Sequence, residues 1–340
     1  MYQKSRKNGG MITPPPESHN NAASDPLHIL VIGAGSIGKR HARNCAALGA
    51  RVSVYDVIPD NLTTLFRENG FTPVLDLDRA LKNEAFDAAL VCTPNHLHVP
   101  VAFQVVDAGM DVFIEKPLSH TCEGVDELIA KVNKQQVIAM GGFNLRFEPG
   151  LGFLKQHVDP ADVAFVQIES GSYMPAWRPG TDYRKTYSAN KSMGGGIILD
   201  DVHELDYACW LFGYPESVHC RSGRFSSFEI DVEDTADFQF NYPDKSVTIH
   251  SDYLQKRYCR RCKICLRNGD TIEWEFGNHV IQYCDGKETV FSYRETFDIN
   301  TMYMQEMQVF FDHVTDRSPP ESDIRNAAKI LEIALKAKLS

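Results

Sequence analysis

Residues 27–48, LHILVIGAGSIGKRHARNCAAL, run from a short apolar segment through three glycines straight into a stretch of helical period. Gly33, Gly35 and Gly38 make the pattern G-x-G-x-x-G. In a strand-turn-helix unit the first glycine permits the tight turn. The second lets a pyrophosphate approach the backbone, and the third lets helix and strand pack closely. The helix start, Ser36 and Ile37, then presents free N–H groups to an anion. A second apolar run, RVSVY, ends at Asp56, about 20 residues on, where a carboxylate accepts hydrogen bonds from a ribose diol. The same charge repels a 2'-phosphate, so NAD is expected rather than NADP.

Further short apolar runs follow, FDAALVC, DVFIE and QVIAMGGF, separated by helix-period sequence. Without strict alternation they read as parallel strands covered on both faces, a doubly wound α/β sheet. Past Asn144 the pattern changes to alternating runs, DVAFVQIES, TADFQFNY, SVTIHSDY and IEWEF, joined by turns such as NYPDK and RNGD. These predict an open, mostly antiparallel α+β sheet with one face covered by helices or a partner subunit. Two helices, roughly 302–314 and 322–339, close the chain. The expected division is a disordered tail over 1–26, a nucleotide-binding domain over 27–144, a substrate and oligomerisation domain over 145–318, and a C-terminal helix over 319–340 returning to the first domain. The opening is polar and rich in Pro, Ser, Asn and Gly, and Met11 is an alternative start.

The 340 residues suffice for two domains. A net charge of -10 and no long basic run argue against a nucleic-acid partner. Nine cysteines, with no apolar run of signal-peptide or membrane-span length, suggest a reduced cytoplasmic protein with no membrane partner. Cys259, Cys262 and Cys265 in CRRCKIC have zinc-like spacing but lie in a strand pattern, where residues three apart face opposite ways. His96, His98 and His203 offer only a loop H-x-H with no evident carboxylate ligand, so no metal is expected.

Ligands of a parallel sheet collect beyond the carboxyl ends of its strands. Two loops leave such ends, CTPNHLH and EKP, placing Thr93, Pro94, Asn95, His98, Glu115, Lys116 and Pro117 around the far half of a dinucleotide. A lysine there can hold a substrate hydroxyl or stabilise a developing alkoxide.

GAGSIG, Asp56, CTPNHLH, EKP and GGGIILDDVHELD, in that order, resemble the glucose-fructose oxidoreductase, inositol dehydrogenase and MocA (Gfo/Idh/MocA) family. The resemblance runs from about Leu27 to the C-terminus. It implies an N-terminal Rossmann domain, a C-terminal open sheet through which subunits form dimers or tetramers, and NAD(P)-dependent oxidation of a sugar or polyol carbinol. It also implies that Asn95 and His98 face nicotinamide and substrate.

A helix from about Ile197 would set Ile198, Val202, Leu205, Cys209 and Phe212 on its core stripe. Asp200, His203, Asp206, Tyr207 and Trp210 fall on a neighbouring stripe, so His203 is expected off the driest side. A neutral imidazole there can act as a base, and an aspartate can orient it. Many family members carry D-x-G-x-H, whereas here Leu199 lies four before the histidine and Asp200 three before. Asp200 is the expected orienting group. Together Lys116, His203 and Asp200 form the expected catalytic set. Arg146, Tyr173, Trp177, Arg178, Tyr183, Arg184 and Asp206 are expected at the substrate, because aromatic rings stack on sugars and arginine forks bind carboxylate or phosphate. Two other functions fit the fold: an NAD-sensing regulator without turnover, and an enzyme recycling NAD during epimerisation or glycoside cleavage.

Overall fold

The computed structural model describes residues 25–339, so the tail reading for 1–26 falls outside the described residues except at its last two positions. The first half alternates strand and helix: β1 His28–Ile32, α1 Ser36–Ala47, β2 Arg51–Tyr55, α2 Pro59–Asn69, β3 Thr72–Val74, α3 Leu77–Asn83, β4 Ala88–Val91, α4 His98–Asp107, β5 Asp111–Glu115, α5 Val125–Gln135 and β6 Ala139–Gly142. All strands are parallel, in the order β3-β2-β1-β4-β5-β6. Strand parity explains the continuous apolar run in β1. Ile29 and Val31 join one buried cluster, Leu30 and Ile32 the other, so both faces are dry.

The second half contains α6 Pro149–His157, β7 Val163–Gly171, α7 Ile197–Asp200, α8 Val202–Phe212, β8 Ser217–Gly223, β9 Thr235–Asn241, β10 Ser246–Asp252, β11 Cys259–Leu266, β12 Thr271–Glu275, β13 His279–Cys284 and β14 Lys287–Ser292. The sheet order is β14-β13-β12-β11-β7-β10-β9-β8, antiparallel except for the β7-β10 pair. Val166, Ile168, Val247, Ile249, Cys262, Ile264 and Trp274 are buried on the face beneath the helices. The opposite face is polar, with cross-strand pairs such as Arg261–Glu169 and Lys263–Glu273. On β11, Cys262 is buried while Cys259 and Cys265 are part-exposed on the other parity, and all are free thiols.

Two C-terminal helices, α9 Ile299–Asp316 and α10 Ile324–Ala337, join the halves. Helix α9 packs on α1 and puts Met307, Phe310 and Phe311 into the first sheet's core. Helix α10 lies against β6 and α5 on one side and α7, α8 and β8 on the other. No helix among the described residues is long and apolar enough to cross a membrane.

The sequence reading does not include β3, β8, β13 or β14. Three, β3, β8 and β14, are edge strands with few buried positions, and β3 carries Pro73, which suits an edge. The β13-β14 hairpin did carry a signal, Asp285-Gly286, whose φ values of 51° and 72° suit a tight two-residue turn.

Candidate active site

The glycine turn is shaped by what a side chain would meet. At Gly33, φ is 98° and a Cβ would lie 2.7 Å from the Cys92 carbonyl oxygen. At Gly38 a Cβ would sit 1.8 Å from the Gly33 oxygen, so helix and turn touch backbone to backbone. Gly35 differs: among the described residues a Cβ there meets nothing within 4 Å. Its bare backbone borders open space, as a close-approaching pyrophosphate requires. Helix α1 begins beside it with no side-chain cap and no acidic residue in its first turn, leaving N–H groups at Ser36 and Ile37 for an anion. Asp56 at the end of β2 accepts from the Ala34 N–H (2.6 Å) and the Ile58 N–H (2.7 Å). It thus ties the glycine turn to the next loop while remaining part-exposed. These residues fit a dinucleotide.

The loops after β4 and β5 are tied to each other and to the triple-glycine segment. Asn95 is buried and donates to the Gly194 oxygen (3.1 Å). Glu115 is buried with Oε1 2.7 Å from His41 Nε2, while its Oε2 accepts from the Lys116 N–H (3.1 Å). Burial opposes ionisation of Glu115, but the His41 hydrogen bond and the neighbouring positive charges outweigh it and hold its pKa below the ordinary value. Half-buried Lys116 donates from Nζ to the main-chain oxygen of Asp200 at 2.7 Å.

That bond brings Lys116 to the segment containing His203. Helices α7 and α8 are separate because Asp201 breaks the helix, with φ -93° and ψ 27°. The expected single amphipathic helix is therefore corrected: except for half-buried Trp210, α8 is buried on every side, against α6, α7 and α10 and, through Tyr207–Trp274 and Glu204–Arg260, the second sheet. His203 is itself only 9% exposed, not on a wet stripe. Burial first, then the charges of Lys116 and Arg260, push its pKa well below 6.5, so the imidazole is neutral.

Asp200 does not hydrogen-bond His203. Its Oδ2 accepts from the Tyr253 hydroxyl at 2.5 Å, and Nδ1 of His203 is buried without a partner among the described residues. The helix break accounts for this, since the i, i+3 relation that would align the two side chains holds only along a continuous helix. Beneath α8, Arg260 lies 2.7 Å from Glu204 and 3.5 Å from Asp201. Burial, opposed by Arg260, pushes Glu204 up to about 8.

Several expected site residues are engaged elsewhere. His98 is 1% exposed, with Nδ1 2.8 Å from the Pro117 oxygen and Nε2 2.7 Å from the Thr93 oxygen, so its ring braces two loops and does not open onto a cleft. Arg146 and Asp206 pair with each other: Nε to Oδ2 is 2.9 Å and Nη2 to Oδ1 is 2.6 Å, both side chains buried. Nε and Nη2 form a planar fork on the carboxylate without substrate, while Nη1 is buried with no hydrogen-bond partner among the described residues. Arg184 is bound by Asp182 and Glu229 on the exposed side of its loop. Tyr183 packs on Phe228, as does Tyr173. Trp177, 38% exposed, meets the Tyr253 ring edge-on, and exposed Arg178 lies over the Tyr187 ring. Thr93 Oγ1 is buried without a partner among the described residues, beside exposed Pro94.

The sequence reading missed Tyr253, Tyr187, Arg260 and His41. Tyr253 was within reach. In SVTIHSDY the inward positions alternate as Ile249, Ser251 and Tyr253, so strand parity aims that ring at the helices. A structural role for the Arg146–Asp206 pair predicts that Asp206→Ala lowers unfolding free energy by about 3–5 kcal/mol, because a buried guanidinium is left unpaired. Urea unfolding measures this. A loss below about 1 kcal/mol, the value of an exposed pair, would return Arg146 to the substrate.

Comparison with known proteins matches residues 27–143 to the model of an oxidoreductase family with an NAD-binding Rossmann fold, and residues 161–271 to the GFO/IDH/MocA C-terminal domain. The chain belongs to the Gfo/Idh/MocA family. A myo-inositol 2-dehydrogenase of Thermotoga maritima is 30% identical over 194 residues, covering 55% of each chain. A levoglucosan dehydrogenase of Pseudarthrobacter phenanthrenivorans is 26% identical over 200 residues, 55% of this chain and 51% of that one. The chain thus spans about half the length of the curated relatives it matches. Among solved structures, levoglucosan dehydrogenase with NADH and levoglucosan superposes with a TM-score of 0.83 at 16% identity, covering 93% of this chain and 98% of that one. UDP-N-acetylglucosamine 3-dehydrogenase of Acidithiobacillus ferrooxidans gives 0.79 at 20% identity, with the same coverages. At such identities these two likenesses bear on the fold, which the family members share.

Proposed function

We propose that this protein is an NAD-dependent dehydrogenase that oxidises a carbinol of a sugar or polyol, and reduces the ketone in reverse. One observation carries the reading: Lys116, on the loop after β5, donates to the main chain of Asp200, three residues before a buried neutral imidazole. A sensor without turnover needs no such pair of ammonium and base. The glycine turn, the start of α1 and Asp56 would hold the dinucleotide, with Thr93, Pro94, Asn95, Glu115 and Lys116 toward its far half. Bound there, NAD supplies the hydride acceptor.

His203 takes the hydroxyl proton, and Lys116 donates a hydrogen bond to the oxygen as negative charge develops on it. Asp200 contributes its main-chain oxygen to Lys116 rather than a carboxylate to His203. Trp177, exposed beside Tyr253, offers a ring face for a sugar, and Arg178 a charge for an acidic or nucleotide-linked one. Asp56 favours NAD over NADP. The polar outer face of the second sheet is the surface for a homodimer or homotetramer.

The test is a panel of free sugars, polyols and nucleotide sugars with NAD, read at the NADH absorbance band. Accumulating NADH, with NADP at least about ten-fold poorer in kcat/KM, is the expected outcome. Substrate conversion without net NADH would point to recycling of the dinucleotide, and NAD binding with no turnover of any substrate would point to a sensor.

A further inference from the structure

Lys116 is held by a carbonyl whose own position has a separate anchor. The Asp200 oxygen that receives Nζ lies at the end of the four-residue α7, in the peptide whose Asp201 N–H donates to the Ile197 oxygen (2.8 Å) just before the helix breaks. On its amino side Asp200 is fixed by its N–H to the Gly196 oxygen (3.0 Å). Its side chain is fixed by the Tyr253 hydroxyl, which donates to Oδ2 at 2.5 Å with both groups buried. Tyr253 is itself rigidly placed. It is 0% exposed, its N–H donates to the Asp234 oxygen (2.9 Å), and its carbonyl accepts from the Met174 N–H (3.1 Å). The Tyr187 ring borders the same carboxylate, whose charge, with burial, keeps that phenol protonated.

We propose that Tyr253 is a positioning residue for Lys116, acting through Asp200. The phenol fixes the carboxylate, the carboxylate fixes the turn between α7 and α8, and the turn presents the carbonyl that orients the ammonium. A hydrogen bond to a charged acceptor is strong enough to add to the main-chain bonds of Asp200 and Asp201 in setting the carbonyl, past which the helix breaks. The same ring touches Trp177 at 5.2 Å between centroids, so the loop expected to receive the sugar abuts the residue that sets the lysine. The assignment of Lys116 to chemistry rests on the dehydrogenase reading; its tether does not.

The experiment is therefore trace reductive methylation of the full-length protein with formaldehyde and cyanoborohydride, quantified for Lys116 by peptide mass spectrometry against exposed Lys287. In Tyr253→Phe the labelling rate of Lys116 should rise about 10-fold, the size of one lost charge-assisted hydrogen bond. Asp200→Ala should raise it equally, and the double variant no further, since both remove one link. Asp200→Asn, which still accepts from the phenol, should stay near wild type and guards against a folding defect in the others. Additive effects in the double variant, or unchanged Lys116 labelling in folded Tyr253→Phe, would overturn the proposal. With a substrate from the panel, kcat should fall in parallel while NAD affinity holds. If the panel yields no substrate, the labelling still decides the tether, and only the dehydrogenase reading fails.

Discussion

Lys116→Met is expected to lower kcat about 10³-fold, the scale on which a preorganised donor to a developing oxyanion contributes. NAD affinity should stay within about two-fold, because the change removes a group that acts on the substrate oxygen. Methionine preserves the aliphatic stem and much of the packing. It removes the ammonium that donates to Asp200 at 2.7 Å and would donate to the substrate oxygen. The glycine turn, the first turn of α1 and Asp56 are untouched, so binding titrated by nucleotide fluorescence should not change. Steady-state rates compared at saturating NAD decide the matter. A variant with wild-type kcat would take Lys116 out of the mechanism.

The second large effect concerns pH. A base must be neutral to take the hydroxyl proton, so the rate fails as pH falls through the pKa of His203. Burial, then Lys116, then Arg260, each disfavour the imidazolium and place that pKa well below 6.5. The acid limb of kcat/KM, which reports the free enzyme, should accordingly lie well under the ordinary histidine value, with no loss of rate between about pH 6.5 and 8 from this group. His203→Ala should cost about 10²–10⁴-fold and erase the limb. A wild-type limb centred at 6.5 or above would contradict the buried, cation-flanked imidazole, and a limb surviving in the alanine variant would belong to another group.

The two halves of the site differ in how far sequence alone could describe them. Gly33 and Gly38 were legible because each is required by a local clash, with Cys92 and with Gly33 respectively, within a single strand-turn-helix unit. Lys116 and Asp56 were legible because strand ends in a parallel sheet all point to one crevice. His98, Arg146, Arg184 and Asp206 look like ligand-binding groups for the same chemical reasons, yet other parts of the chain take up their hydrogen bonds: Pro117 and Thr93, Asp206, Asp182 with Glu229, and Arg146. A polar side chain's type says what it can bond and not whether a neighbour already occupies it.

Glycine spacing, apolar periodicity and the order of the loops determined the doubly wound sheet, the nucleotide turn and the open second sheet, since each depends on residues near one another in the chain. Tertiary structure decided how α8 is enclosed, which carboxylate meets which base, and what holds Lys116. Those contacts join residues such as 116 with 200 and 200 with 253, and break at Asp201 a helix that periodicity alone would continue. Long-range pairing depends on which groups packing leaves free, and that is settled only when the whole chain has closed around them.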